Sequence, residues 1–254
     1  MFKAEKNQIK KTISNLKSIS YIFPVFNEEE RLINLFKYLD KNITHKNQEV
    51  IFVNDGSFDS SKTLIKNYIV KKNRENKYNF ILITYSKNKG KGFALKKGVQ
   101  NSKKEWVLTL DVDLSAKFSE LNSWLNKKYI LKEKNFSYFG SRILSGANVD
   151  AIYIRKFLGN IFRIFEKILI NSRVNDTQCG FKLYHKSYVK KVFKSLKTFG
   201  FAHDVEIIFL LHKYNINIKE LPINWTHKPG SKINIVLDSI NMIYEIIKIK
   251  LRYF

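Results

Sequence analysis

Val50-Ile51-Phe52-Val53-Asn54-Asp55-Gly56-Ser57 is the stretch that decides the fold. Four consecutive apolar residues run straight into a turn, and a helix pattern follows over residues 60–70. A short run with no polar alternation reads as a strand buried on both faces. Asp59 or Ser60 is placed to cap the helix. Upstream, residues 18–23 read as another strand and residues 28–39 as an amphipathic helix, joined by Pro24-Val25-Phe26-Asn27-Glu28. Downstream come a strand at 80–85, a glycine-broken loop Asn88-Lys89-Gly90-Lys91-Gly92, a helix ending near Ser102, and a strand at 106–110. Asp111-Val112-Asp113 sits just past that strand.

Strands alternating with helices imply an α/β fold: a mostly parallel central sheet with helices on both faces. Ligands of such sheets bind beyond the carboxyl ends of the strands. The signatures at 24–28, 54–57 and 111–113 each follow a strand, so they should converge on one crevice. The second half is less regular. Residues 138–142 read as a strand ending in Gly140-Ser141-Arg142, and 155–171 as a helix. Polar-studded segments at 176–183 and 200–211 flank another helix. No repeat or low-complexity linker divides the chain, so residues 1–232 are expected to form one domain. Residues 233–254 then form an amphipathic helix with a basic end and an apolar stripe of Val236, Ile240, Ile243, Ile247, Leu251 and Phe254. It either packs on the domain or lies in a membrane interface.

The 254 residues carry 46 Lys and Arg against 22 Asp and Glu, a formal charge of +24. Such a balance suits polyanions: nucleic acid, anionic lipid or phosphorylated substrates. The basic residues are scattered and no nucleic-acid motif is present, so nucleic acid is not the expected partner. No stretch reaches the roughly 20 apolar residues that cross a bilayer, and residues 1–17 hold no apolar signal core. The expected location is cytoplasmic, free or peripheral on the cytoplasmic face of a membrane. One cysteine, Cys179, excludes an intrachain disulfide. With no histidine beside it in sequence, it reads as a small packing residue.

Asp111 and Asp113 are spaced to serve a divalent cation and the diphosphate it holds, or simply to cap the next helix. Residues 24–28 can hold a nucleoside through helix-start N–H groups, the Phe26 ring and the Glu28 carboxylate, or form an ordinary turn capped by Asn27. Asp55 can accept from a base N–H, with Gly56 permitting the turn. Arg142, Arg155, Arg163, Lys182, Lys228 and Lys232 are candidates for phosphate contacts, Arg142 above the rest because it ends a strand. His203, Asp204 and Glu206 offer a weakly spaced second metal site, for which structural roles are the better reading.

In their order along the chain these motifs resemble the polyprenyl-phosphate branch of family 2 glycosyltransferases, over about residues 19–232. The segment 176–183 is most similar to the dolichyl-phosphate glucosyltransferase side. The resemblance implies a GT-A-like fold, a nucleotide-sugar donor (UDP-glucose favoured over GDP-mannose) and a polyprenyl phosphate acceptor. It also implies a cofactor, Mg²⁺ or Mn²⁺. It assigns Pro24, Phe26, Glu28 and Asp55 to the nucleobase and ribose, and Lys91 and Asp111 to the nucleotide-sugar. Asp113 becomes the principal metal ligand, with Asp111 beside it. Arg142 and Arg155 fall on the acceptor phosphate, and Lys232 on the diphosphate. Asn54 departs from the family's usual aspartate, and the hydrophobic anchors of many members are not seen. The expected reaction is a single inverting displacement, because a phosphate monoester is already ionised near neutral pH. A hydroxyl acceptor would instead need a base, with Asp176 or Asp204 the candidates. A membrane-protein partner or homo-oligomer is compatible with the sequence.

Overall fold

The computed structural model describes residues 18–74, 79–131, 133–150, 174–228 and 235–253. The first half contains β1 (Ile19–Val25), α1 (Glu29–Asn42), β2 (Gln48–Asp55), α2 (Ser61–Arg74), β3 (Asn79–Tyr85), α3 (Lys91–Asn101), β4 (Trp106–Thr109) and α4 (Phe118–Asn126). The second contains β5 (Phe136–Ser141), β6 (Asn148–Asp150), β7 (Lys182–His185), α5 (Lys186–Ser195), α6 (His203–Lys213), β8 (Asn217–Pro222), β9 (Asn224–Thr226) and α7 (Ile235–Tyr253). The 155–171 helix expected from sequence lies outside the described residues, as do Arg155, Arg163 and Lys232.

The first four strands pair in parallel in the order β3-β2-β1-β4. β1, β2 and β4 are buried on both faces, and the two-residue period of a strand sends neighbours into different cores. Val50 and Phe52 join Phe23, Leu32, Leu35 and Ile65 beneath α1 and α2. Ile51 and Val53 join Ile22, Ala94, Leu95 and Val99 beneath α3. Each fully buried Leu, Ile or Phe contributes about 1.5–3 kcal/mol over its exposed state. This is why a strand with no polar face stays in the middle of the sheet.

The second half departs from expectation. β5 does not extend the parallel run beside β4. The four-residue β7 lies between them and is antiparallel to both. β8 closes the sheet parallel to β5, giving the order β3-β2-β1-β4-β7-β5-β8. β6 and β9 form a separate two-stranded parallel ribbon. The polar density of 176–183 concealed β7, because its first residue is a lysine that is nonetheless buried. The 200–211 stretch, read as a polar segment, is largely α6.

These directions build the crevice. β4, β5 and β8 finish at the same edge, while antiparallel β7 starts there. Asp111–Asp113, Arg142 and the segment before β7 therefore meet at one end of the sheet.

At the C-terminus, Ile246 and Ile249 of α7 are buried against Ala202 and Val205 at the start of α6, with Met242 and Tyr253 beside them. The Tyr253 ring stacks on Phe209 at 4.3 Å. Two residues of the apolar stripe read from sequence lie off this packing face. Ile247 and Leu251 point outward together with Tyr244, at 43%, 80% and 58% exposure.

Candidate active site

The ends of β1 and β2 are fastened to each other. Asn27 takes a left-handed φ of 53°, and its backbone N–H donates to Ser57 Oγ at 2.9 Å. The Asn27 side chain does not cap α1, as the turn reading expected. Its Oδ1 accepts from Phe58 N of the β2–α2 loop at 3.0 Å. The open N–H groups of α1 are served from the β2–α2 loop: Glu28 N donates to Ser61 Oγ and Glu29 N to Asp59 Oδ2. Asp59 also caps α2 through Ser61 N at 2.9 Å, one of the two residues expected to do so. Pro24, Phe26 and Glu28 are each partly exposed on this platform. The rings of Phe26 and Phe58 meet edge to face at 6.0 Å, and Arg31 Nη1 donates to both Glu28 oxygens.

Asp55 is buried, and each carboxylate oxygen accepts a backbone N–H: Lys89 at 2.8 Å and Gly90 at 2.9 Å. Lone pairs remain for a base, since an ionised carboxylate has about four acceptor sites. Asn54 is equally buried and turns its amide to Thr84 Oγ1 at 3.1 Å, binding β2 to β3.

Lys91 reaches across from the first turn of α3 to Asp111 Oδ1 at 2.6 Å. Burial works against its charge, but Asp111 above all, with Asp204 and Asp113, outweighs that and pushes its pKa up to about 12. The other side of the Asp111 carboxylate lies on Gly180, where even a Cβ would come within 2.5 Å of Oδ2. Asp113 Oδ1 accepts from Ser115 N at 2.8 Å, a reversal made by Leu114 at φ 55°. Leucine is strained there by about 1–3 kcal/mol, a cost tolerated mainly where function sets the backbone.

Arg142 forms a fork on Asp176: Nε to Oδ2 at 2.8 Å and Nη2 to Oδ1 at 2.7 Å, with Arg142 N also on Oδ2 at 2.8 Å. Its guanidinium lies 5.6 Å from the centroid of the Trp225 ring. Burial favours the neutral form of Asp176, but Arg142 outweighs it and holds the carboxyl below the usual range. Arg142 in turn keeps its charge against burial through Asp176, with Asp111 contributing. Lys182 is not available to phosphate. Its Nζ is buried, donates to Thr177 O at 2.8 Å, pairs with Asp204 and sits 4.9 Å from the Phe139 ring centroid. Asp204 is held below its usual pKa: burial opposes this, and His203, Lys182 and Lys91 outweigh it. Glu206 faces away from Asp204 toward Lys197, Thr198 and α7, so His203, Asp204 and Glu206 do not converge on a cation. Burial pushes the Cys179 thiol up to about 12, consistent with a packing role.

Two groups escaped the sequence reading. Trp225 comes to Arg142 only through the β6–β9 ribbon, and the Lys182–Asp204 pair joins residues 22 apart. Neither leaves a periodic signal in the chain.

Among the described residues no cluster of three or more His, Cys, Asp or Glu could hold a metal alone. Asp111 and Asp113 supply hard oxygen donors from one short turn. They fit a Mg²⁺ or Mn²⁺ that takes one or two carboxylates and completes its shell with phosphate oxygens.

The family model described as "Glycosyl transferase family 2" matches residues 20–193. The chain is 32% identical over 246 residues to a dolichyl-phosphate beta-glucosyltransferase of Dictyostelium discoideum, covering 92% of this chain and 74% of that protein. Among solved structures it resembles the mannosyltransferase PcManGT from Pyrobaculum calidifontis in complex with GDP-Man and Mn²⁺. That match has a TM-score of 0.62 at 13% identity and covers 93% of this chain and 65% of the other. It also resembles glucosyl-3-phosphoglycerate synthase from Mycobacterium tuberculosis in complex with Mn²⁺, UDP and glucosyl-3-phosphoglycerate, at a TM-score of 0.63 and 14% identity, over 92% and 79% of the two chains. At such identities these structures speak for the fold alone, and that fold is GT-A. From its matched family model and its relatives, the chain belongs to glycosyltransferase family 2.

Proposed function

We propose that the chain transfers glucose from UDP-glucose to a polyprenyl phosphate of the dolichyl type, in one inverting step at the cytoplasmic face of a membrane. The observation that carries this reading is the state of the two carboxylates that could act as a base. Asp176 is clamped by Arg142 and Asp204 by Lys182, and both are held below their usual pKa. Such carboxylates are weak bases, so an acceptor that arrives ionised suits the site better than a hydroxyl. The D. discoideum relative supports the same acceptor and sugar.

The residues divide the work by position. Pro24, Phe26 and Glu28 face the nucleoside, and Asp55 offers its remaining lone pairs to a base N–H. Lys91, with Asp111, meets the diphosphate. Asp113 and Asp111 would hold a divalent cation, which would supply charge neutralisation for the departing nucleoside diphosphate. Arg142, oriented by Asp176 and Trp225, holds the acceptor phosphate in line with the anomeric carbon. The acceptor oxygen attacks that carbon as the bond to the diphosphate breaks, so no proton needs a protein base. Arg155 and Lys232 retain the roles the family resemblance assigns them, acceptor phosphate and diphosphate.

Membrane association has its own support. Among the described residues no helix is long and apolar enough to cross a membrane. The outward stripe of Tyr244, Ile247 and Leu251 on α7 offers apolar contact, and the +24 charge suits an anionic leaflet. Incubation with radiolabelled UDP-glucose, Mn²⁺ and dolichyl or undecaprenyl phosphate tests the whole reading. Label should appear in a lipid-extractable, acid-labile product. Label on glycan or diacylglycerol alone would defeat the proposed acceptor, and transfer from GDP-mannose alone would defeat the donor.

A further inference from the structure

Glu206 lies in α6, outside the crevice, yet it is wholly buried and accepts from four groups. Backbone N–H groups of Lys197 and Thr198 reach it at 3.2 and 2.5 Å. From α7 come Arg252 Nη1 at 3.1 Å and the Tyr253 hydroxyl at 2.6 Å. One carboxylate thus ties the last turn of the C-terminal helix to the loop before α6.

That loop grips the start of α3. Phe199 O accepts from Gly92 N at 2.9 Å, and the Phe199 and Phe93 rings meet at 5.2 Å. Gly90, at φ 95°, sits so close to Phe199 O that a Cβ would clash. From the other side Lys96 Nζ donates to Lys194 O and Leu196 O at 2.9 and 2.7 Å. Lys91 stands between Gly90 and Gly92, and its ammonium is set on Asp111 from there.

We propose that Glu206, Arg252 and Tyr253 are positioning residues for Lys91, so that the C-terminal helix is a working part of the donor site. This rests on the reading in which Lys91 meets the donor diphosphate. The described contacts of Arg252 and Tyr253 run to Glu206, and the influence passes on through residues 197–200. Linkage also makes the effect reciprocal: what binds donor at Lys91 must steady α7.

The test uses Tyr253→Phe and Arg252→Met in the full chain, with Arg252→Lys as the conservative rescue. Circular dichroism confirms that each variant is folded. Tyr253→Phe removes a single hydroxyl, so it remains informative where Arg252→Met does not fold. Amide exchange over residues 89–94 should quicken in both variants, together with 197–200, and recover in Arg252→Lys. KM for UDP-glucose should rise roughly three- to tenfold, about the worth of part of one charge-assisted hydrogen bond, with kcat much less affected. Faster exchange confined to 197–200 would overturn the coupling, and so would faster exchange at 89–94 with an unchanged KM. A parent chain that neither binds nor turns over UDP-glucose would instead sink the donor assignment. In that case the exchange result alone would decide whether α7 governs the Lys91 loop.

Discussion

Replacing Asp176 by Asn keeps the shape of the residue and removes the charge opposite Arg142. The carboxylate accepts three hydrogen bonds from Arg142, two from the guanidinium and one from the backbone N–H. An amide oxygen keeps the backbone bond, but its NH₂ group faces a guanidinium donor. Breaking a buried pair on one side costs about 3–5 kcal/mol. Here the Arg142 side chain is 30% exposed, so part of its charge regains water, and about 2–3 kcal/mol is the better expectation. That corresponds to a fall in Tm of about 5–10 °C for a chain of this length. Urea unfolding followed by far-UV circular dichroism measures it, and a double-mutant cycle with Arg142→Met isolates the pair. The double variant should be more stable than Asp176→Asn alone, because no unpaired charge remains. The sign with pH follows from the lowered pKa of Asp176. Its stabilisation is fully present above the ordinary carboxylate pKa of about 3.9 and fades as pH falls through the lower folded value. The gap between parent and Asp176→Asn should therefore be level from neutral pH down to about 4 and narrow below it. Strictly additive losses in the cycle, or a gap that widens in acid, would refute the pairing argument.

Other expectations concern single groups. Asp113→Asn should abolish sugar transfer with Tm shifted by less than about 3 °C, since an amide oxygen still accepts from Ser115 N; transfer that persists in excess chelator would remove the metal from the scheme. Lys91, with its pKa pushed up to about 12 by Asp111, contributes stability fully below the unfolded value of about 10.4 and loses it as pH rises through 12. Acylation at pH 9, read by mass spectrometry, should therefore spare Lys91 while exposed Lys89 reacts, and equal labelling would count against the pair. Cys179 should resist thiol reagents at pH 8 in the folded chain and react on unfolding, because burial raises its thiol to about 12; rapid labelling of the native protein would contradict its packing.

The sequence by itself determined the parallel half of this protein and the turns that end its strands. Runs such as Val50–Val53 have no polar face, and a chain that buries both faces of a strand must cover them with crossover helices. Asp55, Asp111 and Asp113 were therefore legible as crevice residues from local pattern, and the family followed from their order. Tertiary structure alone decided the rest, for three physical reasons. β7 is four residues long and opens on a lysine, so no periodicity marked it, yet its antiparallel insertion is what brings Asp176 to Arg142. Ion pairs between distant residues, Lys91 with Asp111 and Lys182 with Asp204, depend on which strands are neighbours, and that is not written in any window of sequence. In α7 two apolar stripes compete, and only the surface of α6 selects Ile246 and Ile249 for burial and turns Ile247 and Leu251 outward.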